Sequence, residues 1–377
     1  MNLLLRFFVL LISVTISDAW IKDRGCKTDP ANFWLDMVIV VDTSTQMTMD
    51  RLKLVTASLI NLFSQKTRIG KNYDDPRSTR VGIVTYNQKA SIVAGLDEFN
   101  STSSLYQALN TLKSSDMEQS YLSIGLSKAE EVLAAGRSNG TRANYPQLIV
   151  VYAADYQVAP GLDPLPVAQK LQSKNIALSI VNMDDMSADI HLNLEKLSQK
   201  LYLQYRLDIS EELQWRMGQV NCFCKDGLTD DRLRFDFYSI GTCLDISKDR
   251  KSWSSASSEC RKLKNGHLAQ VDGAGRIERL QYGLKNTNAS YGGYHIGLHR
   301  ENDSWFWEQP TDKSDIEDPS PVVWAPGFPT SDFRKTGVGT NFQPTSRIAL
   351  WENIDPENDE KKYICETFAC DTENYCP

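Results

Sequence analysis

Met37-Val38-Ile39-Val40-Val41-Asp42-Thr43-Ser44 is the stretch of this 377-residue chain that decides its first fold. The apolar run has the length and β-branched content of a strand buried on both faces, as in a parallel sheet. Asp42 and Ser44 then leave the strand at its C-terminal end, where open α/β sheets collect ligands. Working outward, Arg51 to Phe63 carries Leu52, Leu54, Val55, Leu59, Ile60, Leu62 and Phe63 at helical spacing. Arg80 to Tyr86 reads as a second strand, Leu148 to Ala154 as a central strand and Ile176 to Val181 as a fourth. Helical patterns cover Leu105 to Leu112, Ser123 to Ala135, Val167 to Ser173 and Leu192 to Leu203. This alternation predicts an α/β doubly wound domain with a mostly parallel sheet. Asp155 follows the 148–154 strand as Asp42 follows the first, so their oxygens can converge on a hard cation such as Mg²⁺. The other reading of Asp42 and Ser44 is capping of the next helix, which both residue types do well.

After residue 221 the texture changes. Tryptophan, glycine and proline rise, and long loops separate short apolar pieces at Tyr294 to Leu298, Arg347 to Trp351 and Tyr363 to Cys365. A helix is expected from Trp253 to Leu263, then one from Gly275 to Leu284. Trp253, Ala256 and Cys260 share one helical face. A loop-rich α+β unit of this kind is one that disulfides help to hold. Trp305, Trp324 and Trp351 read as core aromatics.

The first residues, Met1 to Ile12 followed by Ser17-Asp18-Ala19, read as a secretory signal peptide spanning 1–19, too short to cross a bilayer comfortably. No later stretch is apolar enough to span one, and a secreted, extracellular protein is expected. All eight cysteines follow the leader, which fits disulfides in an oxidising compartment. Zinc is the rival use of Cys222 and Cys224, but Cys-x-Cys lacks the usual gap. The sequons at Asn100, Asn139, Asn288 and Asn302 are glycosylation candidates on exposed loops. A net charge of −7 argues against nucleic acid as a partner. With four histidines, no paired-histidine zinc motif and no Gly-x-Ser-x-Gly elbow, no enzyme is expected.

The first half resembles a von Willebrand factor type A domain, expected over 30–215. The resemblance rests on Asp42-Thr43-Ser44-Thr45-Gln46, on Arg80 to Tyr86 and on Ala154-Asp155-Tyr156. It implies a Mg²⁺ site formed by Asp42, Ser44, Ser120 and Asp155, which catches a carboxylate from a partner protein. Gln46 stands where the family has a second serine, and its longer arm changes the geometry offered to Mg²⁺.

The second half resembles a C-type lectin-like domain, expected over 222–368, with 369–377 as a cysteine-containing tail. Trp253, Ala256 and Cys260, then Gly266-His267-Leu268, His295-Ile296-Gly297-Leu298, Trp305-Phe306-Trp307 and Tyr363-Ile364-Cys365-Glu366 follow the family's motifs in order. Histidine at 295 replaces the family's tryptophan. The resemblance implies a Cys260–Cys365 disulfide. The first domain's likeness implies Cys26 paired with Cys222 or Cys224, the other bonding Cys243 or the tail. The lectin-like resemblance also puts ligand contacts at Glu352, Asn353, Trp324 and Thr330. Phe328 and Thr330 stand where calcium-dependent lectins carry oxygen ligands, so a Ca²⁺ site is incomplete and glycan binding is expected to survive EDTA. The domain order is similar to that of secreted nematode C-type lectin proteins. This implies carbohydrate recognition, with extracellular defence against microbes as its setting. The alternative is a protein–protein adhesion or scaffold module, so the partner is a glycan or an extracellular protein.

Overall fold

The computed structural model describes residues 24–377 except 64–65, 139, 199–200, 207–208, 226–227, 233–238, 272–275, 277–279, 281–292, 320, 322 and 343–348. The expected signal peptide, Asn139, Asn288 and most of the expected Gly275–Leu284 helix lie outside the described residues.

The first domain is built on β1 (Asp36–Asp42), β2 (Arg80–Tyr86), β3 (Ala90–Ala94), β4 (Gln147–Ala153), β5 (Ile176–Asn182) and β6 (Tyr202–Gln204), in the order β3-β2-β1-β4-β5-β6. All neighbours are parallel except the β2–β3 pair at one edge. Because side chains alternate across a strand, β1 feeds two cores. Met37, Ile39 and Val41 pack under α1 (Met49–Leu62), α2 (Thr102–Leu109) and α6 (Ile209–Val220). Val38 and Val40 pack under α3 (Leu122–Ala135), α4 (Pro164–Ser173) and α5 (Ala188–Ser198). Every residue of β1 is buried, which is why its sequence is a continuous apolar run rather than an alternation. Gly125 lets α3 lie close: a Cβ there would sit 3.0 Å from the Tyr86 ring and 3.1 Å from Val40.

One expected helix is corrected. Leu192 to Leu203 is not one element: α5 ends at Ser198, and Tyr202–Gln204 pairs with Ile180–Asn182 as the sixth strand. Leu203, 4 % exposed, satisfies the core from the sheet instead. Beyond it α6 continues past residue 215 and buries Ile209, Leu213 and Met217 in the first core. At the N-terminal end of the sheet the buried Asp36 carboxylate is held by Arg80, Arg137 and Arg142.

The second domain comprises β7 (Thr229–Arg232), β8 (Ser239–Ile246), α7 (Trp253–Cys260), β9 (His267–Leu268), β10 (Tyr294–Glu301), β11 (Ser304–Trp307), β12 (Ile316–Asp318), β13 (Gly337–Phe342), β14 (Ala349–Ile354) and β15 (Lys362–Phe368). Its main path runs β12-β11-β10-β15-β8-β7, with β13 on β10, β14 on β13 and β9 on β15. The core is aromatic. Trp307 and Trp351 meet edge to face at 5.6 Å, and Trp324 meets Trp351 at 6.0 Å. Cys260–Cys365 staples α7 to β15, and Cys26–Cys222, Cys224–Cys243 and Cys370–Cys376 complete four disulfides.

The tail returns to the first domain. Trp34 is fully buried against Tyr145, Phe223 and Tyr375. Its Nε1 donates to the Asp371 carbonyl at 2.9 Å. Asn144 donates to the Cys376 carbonyl at 2.8 Å, and Arg24 pairs with Asp371. The chain's first described residues, the domain junction and the tail thus share one cluster.

Candidate functional site

The C-terminal ends of β1 and β4 form a corner with the loop before α3. Asp42 is fully buried there. Its Oδ1 accepts from the Ser44 amide at 2.8 Å. Its Oδ2 accepts from the Ser120 hydroxyl at 2.9 Å and the Ala154 amide at 3.2 Å. Burial drives the Asp42 carboxyl above the usual carboxylate range, and these donors only partly oppose it. Beneath the corner, burial pushes the Tyr86 phenol well up, and the Asp42 and Asp155 charges add to it.

Asp155 is half-buried and joins the corner through Gln157. Gln157 Nε2 donates to Asp155 Oδ2 at 2.6 Å and to the Glu118 carbonyl at 3.1 Å, while its Oε1 accepts from the Ser120 amide at 3.3 Å. The structure therefore brings Asp42, Ser44 and Ser120 together directly and ties Asp155 to them by one side chain. The Ser44 hydroxyl is buried beside Asp42 and makes no hydrogen bond of good geometry. A buried oxygen left unpaired is costly unless something else satisfies it. That orphan, a buried carboxylate and oxygen-only donors fit a hard divalent cation. Gln46, which stands where the family has a serine, is exposed, and its backbone carbonyl accepts from Arg51.

The rim of this corner was not legible in the sequence. Met49 at the start of α1, Met117 in the loop before α3, and Val158 and Met186 in the segments after β4 and β5 have 48 %, 45 %, 54 % and 87 % of their surface exposed. The loops hold one another: Thr45 donates to the Met117 carbonyl, and Arg51 pairs with Asp184 and Asp185. Scattered apolar positions in separate loops carry no periodic signal, so only the tertiary fold assembles them.

In the second domain Asn353 and Thr330 meet and bond to one another, while Glu352 and Trp324 are engaged by other residues. Asn353 is 1 % exposed. Its Oδ1 accepts from the Thr330 amide at 2.7 Å, and its Nδ2 donates to the carbonyls of Thr330 and Lys335 at 3.1 and 3.2 Å. Glu352 accepts from Asn341 at 3.1 Å. Trp324 packs on Trp305 at 4.8 Å as well as on Trp351. The nearby surface instead presents Phe333, 80 % exposed. Asn100 and Asn302 are exposed, Asn302 in a two-residue β10–β11 turn where it and Asp303 have positive φ. His299, Glu301 and Asp315 form a separate group able to hold a metal ion.

The von Willebrand factor type A domain model matches residues 36–207. A Caenorhabditis elegans protein described as "C-type lectin domain-containing protein 160" is 23 % identical over 94 % of this chain. The chain spans 56 % of that relative's length. Proximal thread matrix protein 1 from the mussel byssus aligns over 51 % of this chain and 47 % of its own, at 14 % identity and a TM-score of 0.40. Human lithostathine aligns over 38 % of this chain and 90 % of its own, at 21 % identity and a TM-score of 0.31. The chain carries an N-terminal von Willebrand factor type A domain followed by an α+β C-type-lectin-like domain. Folds of these two kinds serve in general as non-catalytic interaction modules. No helix among the described residues is long and apolar enough to cross a membrane.

Proposed function

We propose that the chain is a secreted adhesion or scaffold protein that binds another protein through the Asp42 corner. The observation that carries this reading is the rim: four exposed apolar side chains, three of them methionines, on segments at the same end of the sheet as one buried oxygen-donor corner. An apolar ring around a desolvated polar anchor is the make-up of a protein-binding hot spot. Methionine adds adaptability to such surfaces. Asp42, Ser44, Ser120 and Asp155 would hold the cation, with Mg²⁺ as the first choice for oxygen ligands. When bound, it supplies an open coordination position to an acidic side chain of the partner. The chain's own residues do the rest. Ser44 and Ser120 orient oxygens at the corner, Gln157 holds Asp155 in place, and the rim excludes water from the contact.

Four disulfides support an oxidising, extracellular setting, and the exposed Asn100 and Asn302 support glycosylation there. The second domain supports protein contact better than calcium-dependent sugar binding. Asn353 is saturated by its own loop, and Phe333 offers an aromatic anchor instead. Carbohydrate recognition in microbial defence would then rest on calcium-free contacts.

The test displays acidic peptides against immobilised full-length protein in Mg²⁺ and in EDTA, with a glycan array run in parallel with calcium and with EDTA. Peptide capture that needs Mg²⁺ and is lost in Asp42→Ala and Met117→Glu variants is expected. Capture indifferent to Asp42 and to chelation, or glycan binding that vanishes on calcium removal, would overturn the reading.

A further inference from the structure

A second constellation lies in the lectin-like domain, made of residues other than the loop residues discussed above. His299 and Glu301 are two apart on β10, so they project from the same face of the strand. Asp315 comes from the loop that leads into β12. One ligand atom from each of the three lies within 4.8 Å of the others.

We infer that His299, Glu301 and Asp315 form a zinc-type site with one coordination position left open. The first argument is orientation. His299 is packed between Trp253, at 5.5 Å, and Phe306, at 6.3 Å, and its side chain is only 11 % exposed. Its Nδ1 lies 3.3 Å from the Gly297 carbonyl, which can only accept, so Nδ1 carries the hydrogen. Nε2 is then the nitrogen free to meet a cation, and it faces the two carboxylates. A carbonyl that fixes the tautomer of a ligating histidine is the usual outer support of a metal site. Asp315 is held likewise: its Oδ1 accepts from the Gln309 amide at 2.9 Å, leaving Oδ2 turned to the histidine.

The second argument is spacing. Nε2 is 3.5 Å from Glu301 Oε1 and 3.3 Å from Asp315 Oδ2. A tetrahedral zinc with bonds of about 2.0–2.1 Å has ligand-to-ligand edges of about 3.3–3.4 Å. Two of the three ligand-to-ligand edges are thus near tetrahedral length, and the third, between the carboxylates, is no longer than 4.8 Å. One imidazole with two carboxylates is a donor set that suits zinc and offers too few oxygens for calcium. Glu301 is 62 % exposed, so the fourth corner opens to solvent, where a water or a side chain of a bound partner completes it.

The experiment uses full-length, chelator-stripped protein carrying Asp42→Ala, which silences the other metal corner. Zn²⁺ is titrated by calorimetry, and Co²⁺ is added as a spectroscopic stand-in. The expected result is one zinc per chain, a visible cobalt spectrum of the tetrahedral type, and no displacement by excess Ca²⁺ or Mg²⁺. Glu301→Gln and Asp315→Asn should each weaken zinc binding at least ~10-fold, by analogy with the loss seen when mere supporting groups are removed. Glu301→Gln changes an exposed side chain and leaves the fold intact, so it keeps the test valid if His299→Ala unfolds the domain. Zinc affinity unchanged in both carboxylate variants, or a cobalt spectrum of the octahedral type only, would overturn the assignment and leave the three residues as an ion-pair cluster.

Discussion

Acid should weaken the lectin-like domain through one buried histidine. His295 is fully buried on β10. Its Nε2 donates to the Lys251 carbonyl at 2.8 Å, and Nδ1 has no partner at all. A second proton would have to sit on that unpaired, buried nitrogen. Burial accordingly pulls the His295 pKa down from 6.5 to about 4, with Lys361 and Arg250 pushing the same way and the Lys251 carbonyl and Asp359 opposing. The sign follows from which state takes the proton first. Above pH 6.5 the ring is neutral folded and unfolded, and pH has no effect through it. Between pH 6.5 and about 4 the unfolded chain binds the proton and the folded one does not, so stability falls as pH falls. Below about 4 the loss is complete. The gap in pKa corresponds to roughly 3 kcal/mol. Urea unfolding followed by near-ultraviolet circular dichroism, repeated across that pH window, reads the slope. His295→Phe lowers stability at every pH, because the Lys251 carbonyl loses its donor, but it should flatten the slope. An equal slope in variant and wild type would refute the reasoning.

Asp36→Ala removes the buried carboxylate shared by Arg80, Arg137 and Arg142 and leaves Arg80, with a side chain 3 % exposed, only the half-exposed Asp97. It should cost about 3–5 kcal/mol in urea unfolding of the first domain. Trp34→Ala opens the cluster shared by junction and tail and should cost about 3–5 kcal/mol, with faster hydrogen exchange in residues 369–376. Asn353→Ala strands the Thr330 and Lys335 backbone groups, so a loss of about 1–3 kcal/mol and proteolytic nicking near residue 333 are expected. Phe333→Ser, by contrast, should leave the melting temperature unchanged, since that ring is exposed.

The buried strands of the first domain could be read directly, because burial on both faces writes itself as an unbroken apolar run. Arg80–Tyr86 falls where the sequence places it, and β1 gains only Asp36 and Asp42 at its ends. Short edge elements could not be read that way. Tyr202–Gln204 is three residues long and sits at the end of an apolar spacing that also suits a helix. The polar start of α6, with Glu211 and Glu212 in its first turn, hides the face that buries Ile209, Leu213 and Met217. In the second domain the helix at Trp253 and the strands at Tyr294 and Tyr363 were visible, while β12 and β13 lie in loop-like sequence without alternation.

The candidate sites divide in the same way. Asp42, Ser44 and Asp155 each follow a recognisable strand, so their convergence could be argued from topology. Gln157, which links Asp155 to Ser120, has no local signature, and neither has the methionine rim. Asn353 shows the opposite case: its chemistry suited a ligand, but its hydrogen bonds are used inside the loop. His299 and Glu301 share a strand face that a sequence can reveal, whereas Asp315 reaches them only through the fold.

The central claim is that the Asp42 corner holds a divalent cation on which a partner lands. A calorimetric titration of Mg²⁺ into the chelator-stripped full-length chain, beside Asp42→Ala, tests it most directly. The account predicts one binding heat at a single site in the wild type and none in the variant, with Mg²⁺ raising the melting temperature of the wild type alone. No heat in the wild type, or the same heat in Asp42→Ala, would contradict it.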